Sequence, residues 1–332
     1  MIEIAIAGPG GPEVLKPREA SAPEPGPGEV LIRVAAAGVN YPDLFQRRGK
    51  YDPPPGHSTV PGLEVSGEIA ARGDGVKTFA PGDRVVALCN GGGYAEYVAV
   101  PAGQVLPLPR GFSPIDAAAL PETFFTVTQT LVMRAGLEPG HWVLVHGAAG
   151  GIGGAAVWIG KTLGARPIAI VSSPERAAYV NTLGATAVID RTREDFVART
   201  LEITQNHGAD RVVDILGGDI TGKNLEAAAK HGHIVLIGTL AGFHGGMALG
   251  RMLAKQLTLS ASTLRGQPPE VKAAIAAHLL RDIWPALEAA PPPLRIQRFP
   301  LTEAPEAHRL LEARDVIGKL VLVTEFGAGL VS

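Results

Sequence analysis

The chain has 332 residues, enough for two domains of ordinary size, and its 46% hydrophobic and 19% charged content is typical of a compact globular protein. A formal net charge of -2 gives no electrostatic reason to expect nucleic-acid binding. Cys89 is the only cysteine, which excludes an intramolecular disulfide and a zinc cluster built from cysteines. Because the start also lacks the basic and long apolar segments of a signal peptide, we expect a cytoplasmic protein without a membrane segment.

Residues 1 to about 120 contain short β-type runs separated by Gly and Pro, which predict a compact and mostly antiparallel β domain. The runs are Val30–Ala35, Val65–Ala71, Arg84–Leu88 and Tyr94–Val100. The segment Gly38–Gly62 is too long for a simple connection and is rich in polar and aromatic residues. Since long loops often carry function, we predict that this segment contributes to a binding or catalytic site.

From Phe124 onward the pattern changes to alternating strands and helices, centred on Val143–Gly164. An apolar run ends there at three glycines, Gly147, Gly150 and Gly153, and a stretch with helical spacing follows. This is a variant of the dinucleotide fingerprint, in which glycines let backbone N–H groups approach a pyrophosphate and let the helix pack on its strand. The alternative is an ordinary tight turn, but the strand before it and the helix after it favour nucleotide binding.

Further units of the same kind follow and predict a doubly wound parallel sheet with the ligand beyond the carboxyl ends of its strands. They are Pro167–Val171, a helix at Pro174–Leu183, Ala187–Asp190, a helix at Arg193–Gln205, Val212–Leu216, a helix at Asn224–Lys230, and Ile234–Ile237. Two helices, Glu270–Leu287 and Ala304–Arg314, then precede a strand at Lys319–Val323. This strand is too isolated for a domain of its own, so we predict that the C-terminal segment returns to complete the first domain.

The residues after the second strand of this sheet indicate which nicotinamide cofactor is bound. An NAD site places an acid there for the ribose 2′-hydroxyl, whereas this chain has Ser172 and Ser173. Arg176, in the first helical turn, and Arg191, after the next strand, suggest an anion such as a 2′-phosphate. Ser173 also fits a helix N-cap, and Glu175 is an alternative ribose ligand that a helix start explains equally well.

Several stretches together resemble the zinc-independent medium-chain dehydrogenase/reductases, and within them the NADPH:quinone oxidoreductases that include zeta-crystallin. These stretches are GVNYPD, YDPPPG, PGLEVSGEI, FAPGDRVVAL, GGGYAEYVAVP, LPETFFTV, VLVHGAAGGIG, VVDILGG and IGKLVL. The resemblance implies an α/β fold in which a Rossmann doubly wound parallel sheet (residues 123–262) is inserted into a GroES-like, mostly β catalytic domain (residues 1–122 and 263–332). It also implies a homodimer or homotetramer.

Zinc-dependent relatives carry Cys where this chain has Asn40 and His where it has Leu63. Neither residue can form a thiolate and imidazole site, so we expect no metal and a substrate that accepts hydride readily. The function predicted from the sequence is NADPH-dependent reduction of quinones. The alternatives are reduction of activated enones, 2-alkenals or enoyl thioesters, and a protein that binds NADPH without turnover.

The resemblance also implies the residues of each site. Asn40 and Tyr51 are expected beside the nicotinamide, and Thr126 at its carboxamide; Asp43 is a candidate base that fits better as a residue ordering the loop. The expected cofactor contacts are Gly147, Ala149, Gly150, Gly151, Ile152, Gly153, Ser172, Ser173, Arg176, Arg191, Gly217, Gly238, Ala241, Leu264, Arg265 and Lys319. His146, His231 and His233 lack ligand spacing and are expected to be structural.

Overall fold

The computed structural model of the protein describes residues 1–330. The chain divides into two compact units: residues 1–125 with 265–330 form the first unit, and Thr126–Leu264 forms the second unit.

Both units combine strands with helices, which are numbered along the chain. The strands are β1 (Ile2–Ile6), β2 (Leu15–Glu19), β3 (Glu29–Val39), β4 (Glu64–Arg72), β5 (Arg84–Leu88), β6 (Tyr97–Pro101), β7 (Val105–Pro107), β8 (Trp142–Val145), β9 (Arg166–Val171), β10 (Ala187–Asp190), β11 (Ala209–Asp214), β12 (Ala228–Leu236), β13 (Thr258–Ala261), β14 (Ile296–Pro300) and β15 (Lys319–Val323). The α-helices are α1 (Tyr41–Arg47), α2 (Pro114–Ala117), α3 (Pro121–Val127), α4 (Gly151–Thr162), α5 (Pro174–Thr182), α6 (Phe196–Ile203), α7 (Asp219–Ala227), α8 (Leu249–Lys255), α9 (Pro269–His278), α10 (Trp284–Ala289), α11 (Ala304–Glu312) and α12 (Glu325–Gly329). Thr128–Arg134 and Leu279–Ile283 are π-helical, and Pro12–Val14, Ala102–Gln104 and Leu301–Glu303 are 3₁₀ turns.

The first unit is built on a mostly antiparallel sheet with strand order β14-β15-β3-β4-β5-β7, in which β6 also pairs with β3. β15 runs antiparallel to β3 with Leu320 opposite Val39. Alternate apolar residues of these strands face one buried core, because successive side chains of a strand point to opposite faces. The mostly antiparallel β domain expected from the sequence is confirmed, and a strand from the far end of the chain is part of its sheet.

The segment Gly38–Gly62 is not one continuous loop as predicted, because β3 continues to Val39 and α1 follows at once. Asn40 has the extended backbone of an N-cap residue, with φ -132° and ψ 156°. Pro42 lies in the first turn, and the Asp43 carboxylate accepts from the Asn40 backbone N–H at 2.9 Å. This local capping starts a helix in a stretch too short for helical periodicity to reveal.

The second unit is a parallel sheet with strand order β10-β9-β8-β11-β12-β13. Apolar residues fill its strands because helices cover both faces of a doubly wound sheet. The order reverses direction between β8 and β11, the position beside which a doubly wound sheet binds its ligand. The predicted Rossmann architecture is confirmed.

Two helices of the second unit differ in position from the prediction. The helix expected at Arg193–Gln205 begins only at Phe196, because Asp195 caps it by accepting from the Ala198 N–H at 2.9 Å. The helix expected at Asn224–Lys230 lies earlier in the sequence, as α7, and the strand β12 begins at Ala228. Gly218, with φ 57°, turns the chain into this helix sooner than apolar spacing indicates.

The long C-terminal helix expected at Glu270–Leu287 is divided into α9, a π-helical turn and α10. Pro285 lies in the first turn of α10 and has no N–H with which to continue the preceding helix. Within residues 1–330, no helix is long and apolar enough to cross a membrane.

Candidate functional sites

The glycine turn of the second unit connects β8 to α4. Gly147 has φ 59°, and a Cβ at Gly153 would lie 2.3 Å from the Gly147 carbonyl oxygen and 2.5 Å from the Ala148 Cα. Only glycine allows the helix to approach the turn this closely. Gly150 is the N-cap of α4 and supplies no side-chain cap, so the N–H groups of the first helical turn are left for an anion.

A second corner of this unit lies beside the turn, at the ends of β9 and β10. Asp190 pairs with Val171 in the parallel register, so Ser172 and Arg191 leave the sheet at the same edge. The Ser173 hydroxyl accepts from the Arg176 N–H at 3.3 Å and caps α5. The helix-cap explanation of Ser173 is therefore correct, and it leaves the phosphate role of Arg176 and Arg191 as a separate prediction.

Buried Asp214, which the sequence analysis did not select, orders the neighbouring edge at the end of β11. Its Oδ1 accepts from the Leu216 and Gly217 N–H groups at 2.8 and 3.0 Å. A Cβ at Gly238 would lie 2.8 Å from the Ile215 carbonyl oxygen. Asp214 thus orders the turn that contains the predicted contact Gly217, and its sequence signal is its place shortly before two glycines. Ala241, the third predicted cofactor contact of this region, donates its backbone N–H to the Leu216 carbonyl at 2.7 Å.

His146 fits the structural role expected for it. Its ring is buried and edge-on to Phe196, and Nε2 lies 2.7 Å from the Asn224 Oδ1. Burial lowers the pKa of His146, so the ring is neutral. His233 Nε2 lies 2.7 Å from the Ser260 hydroxyl, and His231 has φ 64° within β12, where the pairing with β11 shifts register.

The first unit contains a buried, hydrogen-bonded triad formed by Asn40, Glu64 and Lys319. The Asn40 Nδ2 donates to Glu64 Oε1 at 2.8 Å, and the Lys319 Nζ donates to both Asn40 Oδ1, at 2.7 Å, and Glu64 Oε1. The other Glu64 oxygen accepts from the Glu122 backbone N–H at 2.9 Å. The Asn40 amide is therefore held in one orientation. Glu64 was missed by the sequence analysis, although an acid at the start of an apolar strand is a visible signal.

Asp43 is buried and accepts three hydrogen bonds. They come from the Asn40 N–H, from the Gly62 N–H at 3.0 Å and from the Tyr94 hydroxyl at 3.2 Å. Burial raises the pKa of Asp43 to about 6, and these hydrogen bonds oppose the shift. The geometry favours the loop-ordering role of Asp43 over that of a base, because its two oxygens are directed at protein donors.

In the first unit, Arg265 lies over the Tyr51 ring, and Lys272 is hydrogen-bonded beside Arg265. The Arg265 guanidinium carbon lies 5.5 Å from the centre of the Tyr51 ring, and Arg265 Nε donates to the Asn90 carbonyl at 2.9 Å. Lys272 donates to the Asn90 side chain and to the Arg265 carbonyl, at 2.5 and 2.7 Å. Burial raises the pKa of Tyr51, so its phenol remains a donor. Asn90 and Lys272 gave no recognisable signal in the sequence.

Thr126 and Leu264 are the two other residues that were predicted to contact the cofactor. Thr126 is buried in α3, where its carbonyl accepts from the Thr130 hydroxyl at 2.6 Å. Leu264 is a buried residue at the end of the second unit.

The residues present do not fit a zinc site. Asn40 is engaged with Glu64 and Lys319, and Leu63 is buried without a ligand atom. No group of three or more His, Cys, Asp or Glu side chains within residues 1–330 could hold a metal ion. Tetrahedral zinc sites in proteins use Cys, His and acidic ligands.

Comparison with known families and proteins gives consistent matches over both units. Residues 26–110 match the alcohol dehydrogenase GroES-like domain, and residues 151–279 match the family described as zinc-binding dehydrogenase. A quinone oxidoreductase from Pseudomonas aeruginosa is 36% identical over 96% of this chain and 98% of its own length. The Escherichia coli quinone oxidoreductase solved with NADPH is 30% identical, with a TM-score of 0.85 over 97% of this chain and all 100% of that one. The CurK enoyl reductase is 27% identical, with a TM-score of 0.85 over 97% of this chain and 99% of its own.

Proposed function

Because this chain belongs to the quinone oxidoreductases of the medium-chain dehydrogenase/reductase family, we propose that it is an NADPH-dependent oxidoreductase that reduces quinones without metal. The observation that carries the proposal is the glycine turn, whose closely packed backbone leaves the N-terminus of α4 open to a pyrophosphate. When bound, NADPH supplies the hydride. The residues of this chain bind the cofactor, hold the acceptor and exclude water.

For the cofactor, we assign the pyrophosphate to the backbone at Gly150–Gly153 and the 2′-phosphate to the corner of Ser172, Arg176 and Arg191. A cation near the start of α5 is favourable where an anion binds, although the helix dipole alone favours an acid. Thr126 and Leu264, with the strand-end residues Gly217, Gly238 and Ala241, are assigned to the nicotinamide half.

For the acceptor, we assign the contacts to Asn40 and Tyr51. An amide has two N–H groups, so the hydrogen bond from Asn40 to Glu64 fixes the amide while its second N–H is directed to an acceptor oxygen. Lys319 completes this orientation by donating to Asn40 Oδ1, which makes it a positioning residue and not an anion ligand in this proposal. Donors aimed at the oxygen where negative charge develops stabilise the transition state of hydride transfer.

A second candidate substrate class is the enoyl thioesters and other activated enones. The CurK enoyl reductase, with a TM-score of 0.85, supports this alternative. An enone also gains negative charge on a carbonyl oxygen when it is reduced, so the same two donors serve it. A protein that binds NADPH without turnover is the third possibility.

We propose a homodimer or homotetramer in the cytoplasm. The oligomer is supported by Phe243, Leu249 and Leu253, apolar side chains of the second unit that are 76%, 66% and 80% exposed. Leu249 and Leu253 belong to α8, the helix that precedes the edge strand β13 of the parallel sheet. Sedimentation measurements test the assembly, and a monomer at micromolar concentration would contradict it.

The function is tested by following NADPH oxidation with a panel of quinones, 2-alkenals and enoyl thioesters after dialysis against a strong chelator. We expect turnover of quinones with the highest kcat/KM and full activity without added metal. Faster turnover of enoyl thioesters would replace the substrate class. Activity that is lost on chelation and restored by zinc would contradict the metal-free mechanism, and binding of NADPH without any turnover would contradict the enzyme.

A further inference from the structure

Arg265 is a buried arginine whose terminal guanidinium nitrogens lack hydrogen-bond acceptors in the described part of the chain. The residue is only 4% exposed, and its Nε donates to the Asn90 carbonyl. Within residues 1–330, neither of its terminal nitrogens, Nη1 and Nη2, has a hydrogen-bond partner. A buried donor left unpaired is destabilising, and the more so when it is charged. Such a group is expected where a ligand supplies the missing acceptors.

The guanidinium is held in place by a closed ring of hydrogen bonds. Arg265 Nε reaches the Asn90 carbonyl, the Asn90 side-chain oxygen accepts from Lys272, and Lys272 also donates to the Arg265 carbonyl. The Tyr51 ring covers one side of the guanidinium. This ring orients the Nε side toward the protein and leaves the two Nη groups as a rigid fork, the geometry that pairs with a carboxylate.

The acids whose charges act on Arg265 are Asp43, Glu122 and Asp52, and none of them accepts a hydrogen bond from this fork. Asp43 attracts Arg265 through space, but its oxygens accept from Asn40, Gly62 and Tyr94. Burial and the charge of Glu64 raise the pKa of Glu122 to about 8, so its carboxyl is protonated at neutral pH. Lys272 adds a second cation beside Arg265. The surroundings of the Arg265 guanidinium therefore favour an anion from outside the chain.

We propose that Arg265 binds a carboxylate carried by the acceptor. The enzyme then prefers quinones that bear a carboxylate near the reacting ring, or enones that bear one near the reacting double bond. This inference rests on the proposed function, because it places the carboxylate in the acceptor site of Tyr51 and Asn40. Lys272 and Asn90 are positioning residues that hold the fork. A bidentate, charge-assisted pair is worth roughly 1.5 to 3 kcal/mol, which corresponds to about 10- to 150-fold in affinity.

The kinetic test uses two 1,4-naphthoquinones that differ only in carrying a carboxylate or its methyl ester at one ring position. The ratio of their kcat/KM values is compared among wild type, Arg265→Gln and Arg265→Lys, since intrinsic reactivity cancels between variants. We expect the carboxylate-to-ester ratio to fall at least about 10-fold in Arg265→Gln and by less in Arg265→Lys. Arg281→Gln, at an exposed arginine of the same unit, is the control and should leave the ratio unchanged.

An unchanged ratio in Arg265→Gln would overturn the inference. So would a loss of NADPH affinity in a direct titration that accounts for the whole effect, because the fork would then belong to the cofactor. Thermal denaturation of each variant checks that it is folded.

A binding measurement separates this inference from the proposed function and needs no turnover. Titration with 2-naphthoate and with 2-naphthamide is done on wild type and on Arg265→Gln. We expect wild type to bind the naphthoate at least about 10-fold more tightly than the amide, and the variant to lose this preference. If no quinone is reduced but the preference is present, the proposed function fails and the carboxylate site stands. If quinones are reduced and wild type shows no preference, the carboxylate site fails alone; this comparison holds even if the variant does not fold.

Discussion

Lys319 Nζ donates a hydrogen bond to Glu64 Oε1 across 255 positions of sequence, and both side chains are buried. Glu64 lies at the start of β4 and Lys319 at the start of β15, so the ion pair ties the C-terminal segment of the chain to the N-terminal part of the first unit. Because the same lysine also donates to Asn40, the stability of this unit and the orientation of a candidate site residue depend on one pair.

Breaking this pair is predicted to be strongly destabilising. Glu64→Gln leaves the Lys319 ammonium buried without its counter-ion, and we expect the free energy of unfolding to fall by about 3 to 5 kcal/mol in urea denaturation. The double variant Glu64→Gln with Lys319→Met removes both charges and should recover part of the loss. Glu306→Gln, which breaks an exposed pair with Arg309, is the control and should change stability by less than about 1 kcal/mol. Equal stability of Glu64→Gln and wild type would contradict the prediction.

Glu122 is predicted to make stability fall as pH rises. Burial, then the charge of Glu64, raises the pKa of its carboxyl from 4.5 to about 8, so the folded protein retains a proton that the unfolded chain loses in this window. Each pH unit between these values lowers the free energy of unfolding by up to about 1.4 kcal/mol. Below pH 4.5 the carboxyl is protonated in both states, and the contribution is fully present.

Glu122→Gln should therefore match wild type at low pH and be more stable than wild type at pH 8. The comparison is made by urea denaturation at each half pH unit. Asp43 titrates with the same sign only up to a pKa of about 6, so the difference that develops from pH 6 to 8 belongs to Glu122. Parallel pH profiles for the two proteins would show that Glu122 is ionised in the folded state.

Two adjacent glycines of α4 are predicted to respond differently to alanine. A Cβ at Gly153 would lie 2.3 Å from the backbone of the turn, whereas the nearest atom to a Cβ at Gly154 is the flexible end of Leu183, at 3.3 Å. Overpacking against backbone is destabilising by about 1 to 3 kcal/mol and shifts the phosphate turn. We expect Gly153→Ala to weaken NADPH binding at least about 10-fold in a fluorescence titration and Gly154→Ala to leave it nearly unchanged. Equal effects would place the cofactor away from this turn.

Arg176 is predicted to select NADPH over NADH. A charge-assisted contact to the 2′-phosphate contributes roughly 1.5 to 3 kcal/mol, so Arg176→Ala should weaken NADPH binding about 10- to 150-fold and leave NADH binding nearly unchanged. Calorimetric titration with both cofactors measures this. Lys230→Ala removes an exposed positive charge near the start of β12 and serves as the control. Equal losses for both cofactors would mean that Arg176 stabilises the fold and does not bind phosphate.

Tyr51 and Asn40 are predicted to affect turnover more than cofactor binding. Tyr51→Phe removes one donor to the acceptor oxygen, which is worth about 1 to 3 kcal/mol in the transition state. We expect lower kcat with several quinones and an unchanged dissociation constant for NADPH, and the same pattern for Asn40→Ala. If both variants keep the kinetics of wild type, the acceptor binds elsewhere.

The sequence alone was sufficient for those parts of the fold that rest on local patterns. Alternating apolar runs predict the strands, and both Ala187–Asp190 and Lys319–Val323 have the predicted bounds. The spacing of Gly147, Gly150 and Gly153 predicts the turn, because backbone conformation there depends on residues close in sequence. Helix starts were less predictable from the sequence. The start of α6 depends on a single capping contact of Asp195, and the start of α7 depends on the backbone dihedral angle of Gly218. Apolar periodicity carries no information on either feature.

Only the tertiary structure reveals which charges meet. Lys319 follows a glycine and begins an apolar strand. The residues next to it in the sequence do not indicate that Glu64 is its partner. Arg265 and Lys272 come from the return segment, whereas Asn90 comes from the loop after β5, and their hydrogen-bonded ring exists because the chain brings both segments into one unit. The physical reason is that electrostatic interactions depend on distance and burial in space, which are set by packing between segments far apart in sequence.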